Sequence, residues 1–366
     1  MQIAPKLAVL SKLILGELMS LESLEPKDAT VLTELAIEHG VAAILYEVFQ
    51  QNKYINPLFN SLADFQMHQN LRSQLLAQQF QHTLAQLAAN GIKFVVLKGF
   101  ALSHTVYLNP LLRTKADVDI LIRIQDKNEI INAFESMGFS NPRGWSPTAI
   151  IKQFSMRKTL SPRLNVDFDI HFQISNELDV ANILTFDELI ASADIKTLPA
   201  IPLVCKSHGL IHAIVHLLHH RNVGDTVKLI WLYDLLLLCN KMSSVDKAYF
   251  KKCVDEKGLG ELANFALKLA NQHFEDEGIN AVIETLEGVS TRSELEYLTR
   301  VDSRTDQFRR SLKQRQGLQE KLLFIKEMTL PPAQEIYQKY GKQPSYLMPF
   351  FYIRRMTSGL FKHLFS

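Results

Sequence analysis

Two segments of the sequence combine a strand-like pattern with pairs of aspartate residues. Asp117 and Asp119 alternate with apolar residues in Asp-Val-Asp-Ile, and Asp167 and Asp169 do so in Asp-Phe-Asp-Ile. Side chains alternate between the two faces of a strand, so each pair lies on a single face. Asp is rare in strands, and a carboxylate facing a core is costly without a cationic partner. If the two strands are neighbours in one sheet, three or four carboxylates meet at one place.

Such a convergence of carboxylates predicts a divalent cation. Hard oxygen ligands of this kind suit Mg²⁺ or Mn²⁺, and phosphoryl transfer commonly requires this arrangement. An isolated Asp-x-Asp pattern also occurs on solvated edge strands, where it binds no metal. The order of the motifs favours the metal site, because a turn suited to phosphate binding precedes the aspartates.

That turn, Lys98-Gly99, separates a short apolar run at 92–97 from a helical pattern that reaches Tyr107. A helix that begins at such a turn presents backbone N–H groups and the positive end of its dipole to a phosphate. Gly99 lets the backbone approach the phosphates, and Lys98 adds a positive charge. An ordinary turn at the end of a strand is the alternative interpretation of the same residues.

Hydrophobic periodicity indicates the elements that must position these residues. Strands are predicted at 92–97, 117–123, 152–159 and 164–172. The segments before and after them have helical periodicity. The sequence therefore predicts an α+β fold, in which a small mixed β-sheet forms a core at 91–200. A helical N-terminal region at 1–90 and a helical C-terminal domain at 201–366 flank this core.

Composition excludes several classes of protein. Hydrophobic residues make up 47% of the 366 residues and charged residues 21%, which excludes a disordered or collagen-like chain. The net charge of +2 is too balanced for general binding to polyanions. Cys205, Cys239 and Cys253 form no Cys-x-x-Cys pair, so a cytoplasmic location is predicted. The most apolar run, 229–239, is too short to span a bilayer, so no transmembrane segment is expected.

A glycine turn, an Asp-x-Asp strand and a later third carboxylate, in that order, resemble the nucleotidyltransferase superfamily related to DNA polymerase β. The sequence is more similar still to an uncharacterised bacterial nucleotidyltransferase family of that superfamily. The segments that carry this resemblance are Leu97-Lys98-Gly99, Tyr107, Arg113, Asp117-Val118-Asp119, Gly138-Phe139, Asp169–Phe172, His216–His220, Trp231–Asp234 and Leu330–Gly341. Their order, rather than any one of them, is specific.

The resemblance implies transfer of a nucleoside monophosphate from a nucleoside triphosphate to a hydroxyl acceptor, with release of pyrophosphate. It implies that Asp117, Asp119 and Asp169 hold two Mg²⁺ (or Mn²⁺) ions. Asp169 is preferred to Asp167 as the third carboxylate because His171 follows it, as in the family's pattern. The acceptor is unidentified, since a sugar, another small molecule, an RNA end or a protein side chain all fit.

Lys98, Gly99, Ser103 and Arg113 are the candidate nucleotide-binding residues. The superfamily usually has Ser or Gly after the turn glycine, whereas Phe100 follows Gly99 here, so Lys98 or Ser103 is expected to supply the missing contact. Arg113 either clamps the triphosphate or pairs with a structural carboxylate. The departure at Phe100 keeps a second interpretation open. In that interpretation the protein is a catalytically weak or inactive nucleotide-binding scaffold, associated with the synthesis of cell-surface polysaccharide.

The helical C-terminal region contains three further candidate features. Several histidines recur on one predicted helix face: His208, His212, His216 and His219 or His220. They lack the adjacent Glu of helical zinc motifs, so we expect part of this face to line the nucleotide cleft. Asp234, inside an apolar helix, predicts a buried salt bridge that holds two domains together, and contact with the substrate is the alternative. The basic, aromatic segment 346–366 fits either peripheral contact with an anionic membrane or core packing of a terminal helix.

Overall fold

The computed structural model describes residues 3–17, 25–142, 152–330, 333–341 and 344–354. The described helices before the sheet are α1 (Ile3–Ile14), α2 (Pro26–Glu38), α3 (Ala42–Gln51) and α4 (Pro57–Ala89). Pro26 and Pro57 begin α2 and α4, where the fixed φ of proline suits the helix and its missing N–H is not needed. The Asn56 side chain caps α4, because it accepts a hydrogen bond from the N–H of Phe59 at 2.7 Å.

The sheet of the described residues has four strands in the order β1-β2-β4-β3. They are β1 (Val95–Val96), β2 (Asp117–Leu121), β3 (Gln153–Ser161) and β4 (Leu164–His171), and α5 (Lys98–Thr105) and α6 (Lys127–Ser136) follow β1 and β2. The β2–β4 pair is parallel and the other pairs are antiparallel. The predicted fold class, α+β with a small mixed sheet and helical flanks, is confirmed. β1 is shorter than the predicted strand at 92–97, because Val95 and Val96 alone pair with β2.

The remaining described helices follow the sheet in the sequence. They are α7 (Leu178–Ala181), α8 (Phe186–Ala191), α9 (Lys206–Asn222), α10 (Leu229–Lys241), α11 (Ser244–Glu256), α12 (Gly260–Phe274), α13 (Glu277–Thr285), α14 (Arg304–Lys313), α15 (Gly317–Thr329) and α16 (Ala333–Tyr340). Short 3₁₀ helices lie at Ile124–Asp126, Ser293–Thr299 and Ser345–Leu347. None of the described helices is long and apolar enough to cross a membrane. The division into domains at 1–90, 91–200 and 201–366 stays a prediction.

One face of the sheet is covered by aromatic side chains from the helices. Phe168 of β4 is fully buried and lies between Phe80 of α4, at 5.6 Å between ring centroids, and Phe134 of α6, at 5.1 Å. Phe139 contacts the same ring at 5.7 Å. Because side chains alternate along β4, this packing directs Asp167 and Asp169 to the opposite face. The aromatic cluster therefore determines which face carries the carboxylates.

We predict that Phe168→Ala lowers the free energy of unfolding by about 3–5 kcal/mol, since it removes a buried ring and leaves a cavity. Urea denaturation followed by circular dichroism measures this change. Phe350 is 58% exposed and provides the control, because Phe350→Ala is expected to change stability by less than about 0.5 kcal/mol. Similar losses in the two variants would contradict the central position of Phe168.

Candidate active site

The parallel register of β2 and β4 places the four strand aspartates on one face of the sheet. Asp117 is paired with Asp167, and Asp119 is paired with Asp169. Residues paired across neighbouring strands point to the same side, so these carboxylates all lie opposite to Phe168. The structure therefore contains the convergence of carboxylates that the alternating pattern predicted.

The two candidates for the third carboxylate have different partners. Asp167 accepts hydrogen bonds from Nε of Arg157 at 2.6 Å and from Nη2 of Arg157 at 3.1 Å, one to each carboxylate oxygen. Asp169 accepts a hydrogen bond from Ser155 Oγ at 2.6 Å and lines a cavity that adjoins this face of the sheet. A carboxylate held through both oxygens by a guanidinium has little remaining capacity for a cation. These contacts support Asp169 as the third carboxylate.

Asp119 is the most strongly neutralised of the strand aspartates. It is 7% exposed, and its Oδ1 lies 2.6 Å from Lys98 Nζ and 2.9 Å from His171 Nε2. His171 is itself buried. The sequence marked His171 only as a neighbour of the third carboxylate, although its position two residues after Asp169 places it on the same face of β4. The structure adds His171 to the site as a direct partner of Asp119.

The first residue of α5, Lys98, has an unusual backbone conformation. Lys98 has a φ of +49°, in the left-handed region that costs a non-glycine residue roughly 1–2 kcal/mol. Such strain persists where surrounding contacts fix it, and the ion pair with Asp119 is a contact of this kind. A Cβ at Gly99 would lie 3.6 Å from Cζ of Arg113. Glycine therefore keeps the space beside this guanidinium open.

Burial opposes ionisation of both Asp117 and Asp119, but their neighbours differ. For Asp119, Lys98 and His171 outweigh burial and hold the pKa well below its usual range. For Asp117, burial and the negative charges of Asp119 and Asp169 raise the pKa to about 6. Asp119 is therefore ionised at physiological pH, whereas the pKa of Asp117 lies much closer to physiological pH.

A cavity of about 490 Å³ adjoins this face, within the usual size range of ligand pockets. Its lining includes every predicted site residue but one: Lys98, Gly99, Arg113, Asp117, Asp119 and Asp169. Ser103 is the exception, because it is fully buried within the packing of α5. Its hydroxyl donates to the carbonyl oxygen of Phe100 at 2.7 Å and accepts from Lys115 Nζ at 3.2 Å. The structure thus does not bring Ser103 to the cavity, whereas Lys115, which the sequence did not single out, does line it.

The donor groups beside the cavity fit a divalent cation. Asp119, Asp169 and His171 each offer one ligand atom, and these atoms lie within 4.8 Å of one another. Asp117 is not part of this group, but it lies on the same face of β2 and lines the same cavity. Carboxylate oxygens and an imidazole nitrogen are ordinary ligands of divalent metal ions.

Arg113 is held by a carboxylate from the helical part of the chain. Its Nε lies 3.0 Å from Asp234 Oδ1, and its Nη2 lies 2.9 Å from Asp234 Oδ2. The hydroxyl of Tyr107 donates to Asp234 at 2.6 Å, and Arg113 also donates to the carbonyl oxygen of Thr114 at 2.9 Å. Asp234 forms the buried salt bridge that the sequence predicted. Of the two interpretations of Arg113, pairing with a structural carboxylate is present, and the residue also lines the cavity.

The histidine face of α9 is only partly directed at the cavity. His212, His216 and His220 line it, whereas His208 and His219 do not. His208 instead contacts Ser192 Oγ at 2.9 Å, within the packing of the helices. No zinc-like cluster of three of these histidines occurs among the described residues. The expectation that part of this face lines the cleft agrees with the structure.

The sequence model of a family described as "Uncharacterised nucleotidyltransferase" matches residues 25–275, which is more than half of the chain. The chain belongs to this family. A search of curated proteins found no match. Membership in the nucleotidyltransferase family indicates transferase activity with a nucleotide as substrate.

The match to the nucleotidyltransferase family covers the whole sheet and the helices that surround the cavity. It begins one residue before α2 and ends one residue after α12. The segment Leu330–Gly341, also predicted to resemble the family, lies beyond the matched residues, and Pro331 and Pro332 lie outside the described residues. The resemblance is thus supported for the part of the chain that forms the site.

We predict that Asp234→Asn lowers the free energy of unfolding by roughly 3 kcal/mol or more, because it leaves the charge of Arg113 buried without a counter-ion. Urea denaturation measures the loss. Asp187 forms an exposed ion pair with Arg123, so Asp187→Asn is the matched control with an expected loss of about 0–1 kcal/mol. Equal effects of the two substitutions would show that the buried pair is energetically unimportant.

Proposed function

We propose that this nucleotidyltransferase family member transfers a nucleoside monophosphate from a nucleoside triphosphate to a hydroxyl acceptor, with pyrophosphate as the second product. The observation that carries the proposal is the in-register pairing of Asp119 with Asp169 beside a cavity that also contains Lys98 and Gly99. The candidate cation ligands and the candidate phosphate-binding residues thus line one cavity. The order of glycine turn, Asp-x-Asp strand and third-carboxylate strand further supports a place in the superfamily related to DNA polymerase β.

Each cavity residue has a role that follows from its chemistry. Asp117, Asp119 and Asp169 would hold Mg²⁺ or Mn²⁺, with His171 as a fourth neighbour. The chemistry that bound ions of this kind supply is neutralisation of the triphosphate and polarisation of the attacking hydroxyl. The Lys98 ammonium group adds positive charge for the phosphate oxygens.

Arg113 contributes through its geometry. A guanidinium has five N–H donors, and the described contacts of Arg113 with Asp234 and Thr114 use three of its N–H groups. Two N–H groups therefore stay available in the described structure, beside the space that Gly99 keeps open. We propose that they bind a phosphate group while Asp234 holds the guanidinium in place.

The bonds of the proposed transfer balance without a further reactant. The acceptor oxygen forms a bond to the α-phosphorus, and the bond from that phosphorus to the oxygen bridging to the β-phosphate breaks. Pyrophosphate leaves with the electron pair of the broken bond. The hydroxyl proton passes to Asp169 or to water, and Asp169 suits this role because its described hydrogen bond to Ser155 leaves lone pairs available.

A second candidate function is nucleotide binding with little or no turnover, in a scaffold for the assembly of cell-surface polysaccharide. The ion pair of Lys98 with Asp119 favours it, because a protein cation already satisfies a candidate metal ligand. Phe100, which raised this alternative, is 1% exposed and packs against Phe80 and His104. The turn therefore has no hydroxyl at this position to contact a triphosphate.

We propose that the protein is cytoplasmic and that its C-terminal segment makes peripheral contact with an anionic membrane. The exposed side chains of Tyr346, Phe350 and Ile353 support that contact. Residues 355–366, which include the rest of the basic, aromatic segment, lie outside the described residues.

We predict that Asp119→Asn weakens Mg²⁺-dependent binding of a nucleoside triphosphate by at least about 10- to 100-fold, the loss typical when a metal ligand loses its support. The substitution keeps the size of the side chain and removes its charge. Isothermal titration calorimetry with non-hydrolysable triphosphates of each base, with and without Mg²⁺, measures the affinity and identifies the donor.

Asp167→Asn is the matched control for this experiment, because Asp167 lies on the same face but is paired with Arg157 outside the cavity lining. Its binding of triphosphate is expected to equal that of the unsubstituted chain. Equal losses of triphosphate affinity in the two variants would contradict the assigned site. Pyrophosphate release with a candidate acceptor would in turn exclude the scaffold function.

We predict that Mn²⁺ binding weakens as the pH falls below about 6. The pKa of Asp117 is raised to about 6, so below this pH a cation must displace its proton, and affinity falls about tenfold per pH unit. The electron paramagnetic resonance signal of free Mn²⁺ measures binding across this range. Asp117→Asn is expected to bind Mn²⁺ more weakly and to lose this pH dependence. A dependence that survives in Asp117→Asn would assign the proton to another group.

A further inference from the structure

One wall of the cavity consists of aromatic rings. His216 and His220 of α9 and Trp231 of α10 all line the cavity. The centroid of the His216 ring lies 4.5 Å from that of His220 and 5.2 Å from that of Trp231. The His220 and Trp231 rings lie 4.9 Å apart with an angle of 36° between their planes. These three side chains, here called the ring wall, form one cluster of rings, in which the plane of Trp231 lies at 36° to that of His220 and at 89° to that of His216.

The ring wall begins close to the charged end of the cavity. His212 precedes His216 by about one helical turn on α9, which corresponds to roughly 5–6 Å along the axis. His212 lines the same cavity as Lys98, and burial together with the charge of Lys98 lowers the pKa of His212 to about 3. A nucleotide whose phosphates contact Lys98 would extend past His212 toward the ring wall. In such a nucleotide the sugar joins the phosphates to the base, so it would lie between Lys98 and the ring wall.

The rings of the wall suit an uncharged, flat ligand group. Burial and the charge of Lys98 lower the pKa of His216 well below its ordinary value, so its imidazole is neutral. A neutral ring does not compete with Lys98 for phosphate. His220 Nδ1 lies 2.7 Å from Asp225 Oδ2, and this contact fixes the orientation of the His220 ring. The wall is therefore preorganised for stacking.

We propose that the ring wall binds the nucleobase of the donor nucleotide by stacking. This inference rests on the proposed function and adds the part of the substrate that the carboxylates and Lys98 leave unbound. Stacking on aromatic side chains accepts any base, because every base has a π-face. The ring wall thus raises the affinity for a nucleotide relative to a phosphate chain that has no base. It does not select one base over another.

The test compares a nucleoside triphosphate with inorganic tripolyphosphate, which has the same phosphate chain and no base. Trp231→Leu removes the ring and keeps an apolar side chain, whereas Trp231→Phe keeps a ring. In the presence of Mg²⁺, Trp231→Leu is expected to bind a non-hydrolysable triphosphate about 10- to 100-fold more weakly and tripolyphosphate equally well. Trp231→Phe is expected to retain most of the affinity for the nucleotide. Calorimetry measures both ligands with each variant.

Fluorescence supplies a direct readout of stacking. The chain has two tryptophans, so in a Trp145→Phe background the emission comes from Trp231. The triphosphate is expected to quench this emission, and tripolyphosphate is not. His216→Leu serves as a second variant, with the same expected split between the ligands, if thermal unfolding shows that Trp231→Leu does not fold.

The outcomes separate this proposal from the function on which it rests. If the nucleotide binds but Trp231→Leu and His216→Leu leave its affinity unchanged, the ring wall does not bind the base. Equal losses for nucleotide and tripolyphosphate also overturn the assignment, since they indicate a general disturbance of the cavity. If the unsubstituted chain binds neither ligand, the proposed function itself fails, and the ring wall fails with it.

Discussion

The parallel pairing of β2 with β4 concentrates negative charge on a partly buried face of the sheet, and much of the surrounding structure compensates for that charge. Burying an unpaired carboxylate is costly, so each aspartate requires a partner or a proton. Asp119 obtains Lys98 from the start of α5 and His171 from β4, and Asp167 obtains Arg157 from β3. Burial and the negative charges of Asp119 and Asp169 raise the pKa of Asp117. The site therefore contains carboxylates with different capacities for protons and cations.

The layers on the two sides of the sheet have distinct tasks. The aromatic cluster around Phe168 holds one face against α4 and α6 and so fixes the direction of the aspartates on the other. Across the cavity, α9 and α10 supply aromatic rings and one carboxylate, Asp234. That carboxylate pairs with Arg113, which would otherwise be a buried positive charge without a counter-ion. The cavity thus has a charged end and an aromatic end.

Much of the fold and part of the site follow from local patterns. Alternation predicted that the aspartates share a face, and hydrophobic periodicity predicted the helical flanks, because these properties depend on near neighbours in the chain. The partners of Arg113 and Asp119 depend on tertiary packing instead. Asp234 is 121 residues from Arg113, and neither residue indicates the other in the sequence. The burial of Ser103 likewise depends on tertiary packing. Helical spacing from Gly99 places Ser103 on α5, but it does not determine which face of α5 is buried.

Lys98 distinguishes the two candidate functions by the strength of its attachment. Its ion pair with Asp119 is 2.6 Å long, with 25% of the lysine side chain and 10% of the aspartate side chain exposed. The left-handed backbone of Lys98 costs roughly 1–2 kcal/mol and lowers the net stability of this arrangement. A triphosphate in the cavity would offer Lys98 several negative charges in place of the single charge of Asp119. Under the transferase function, Lys98 exchanges its carboxylate for phosphate and frees Asp119 for a cation. Under the scaffold function that exchange does not occur, and the same ion pair remains a structural contact.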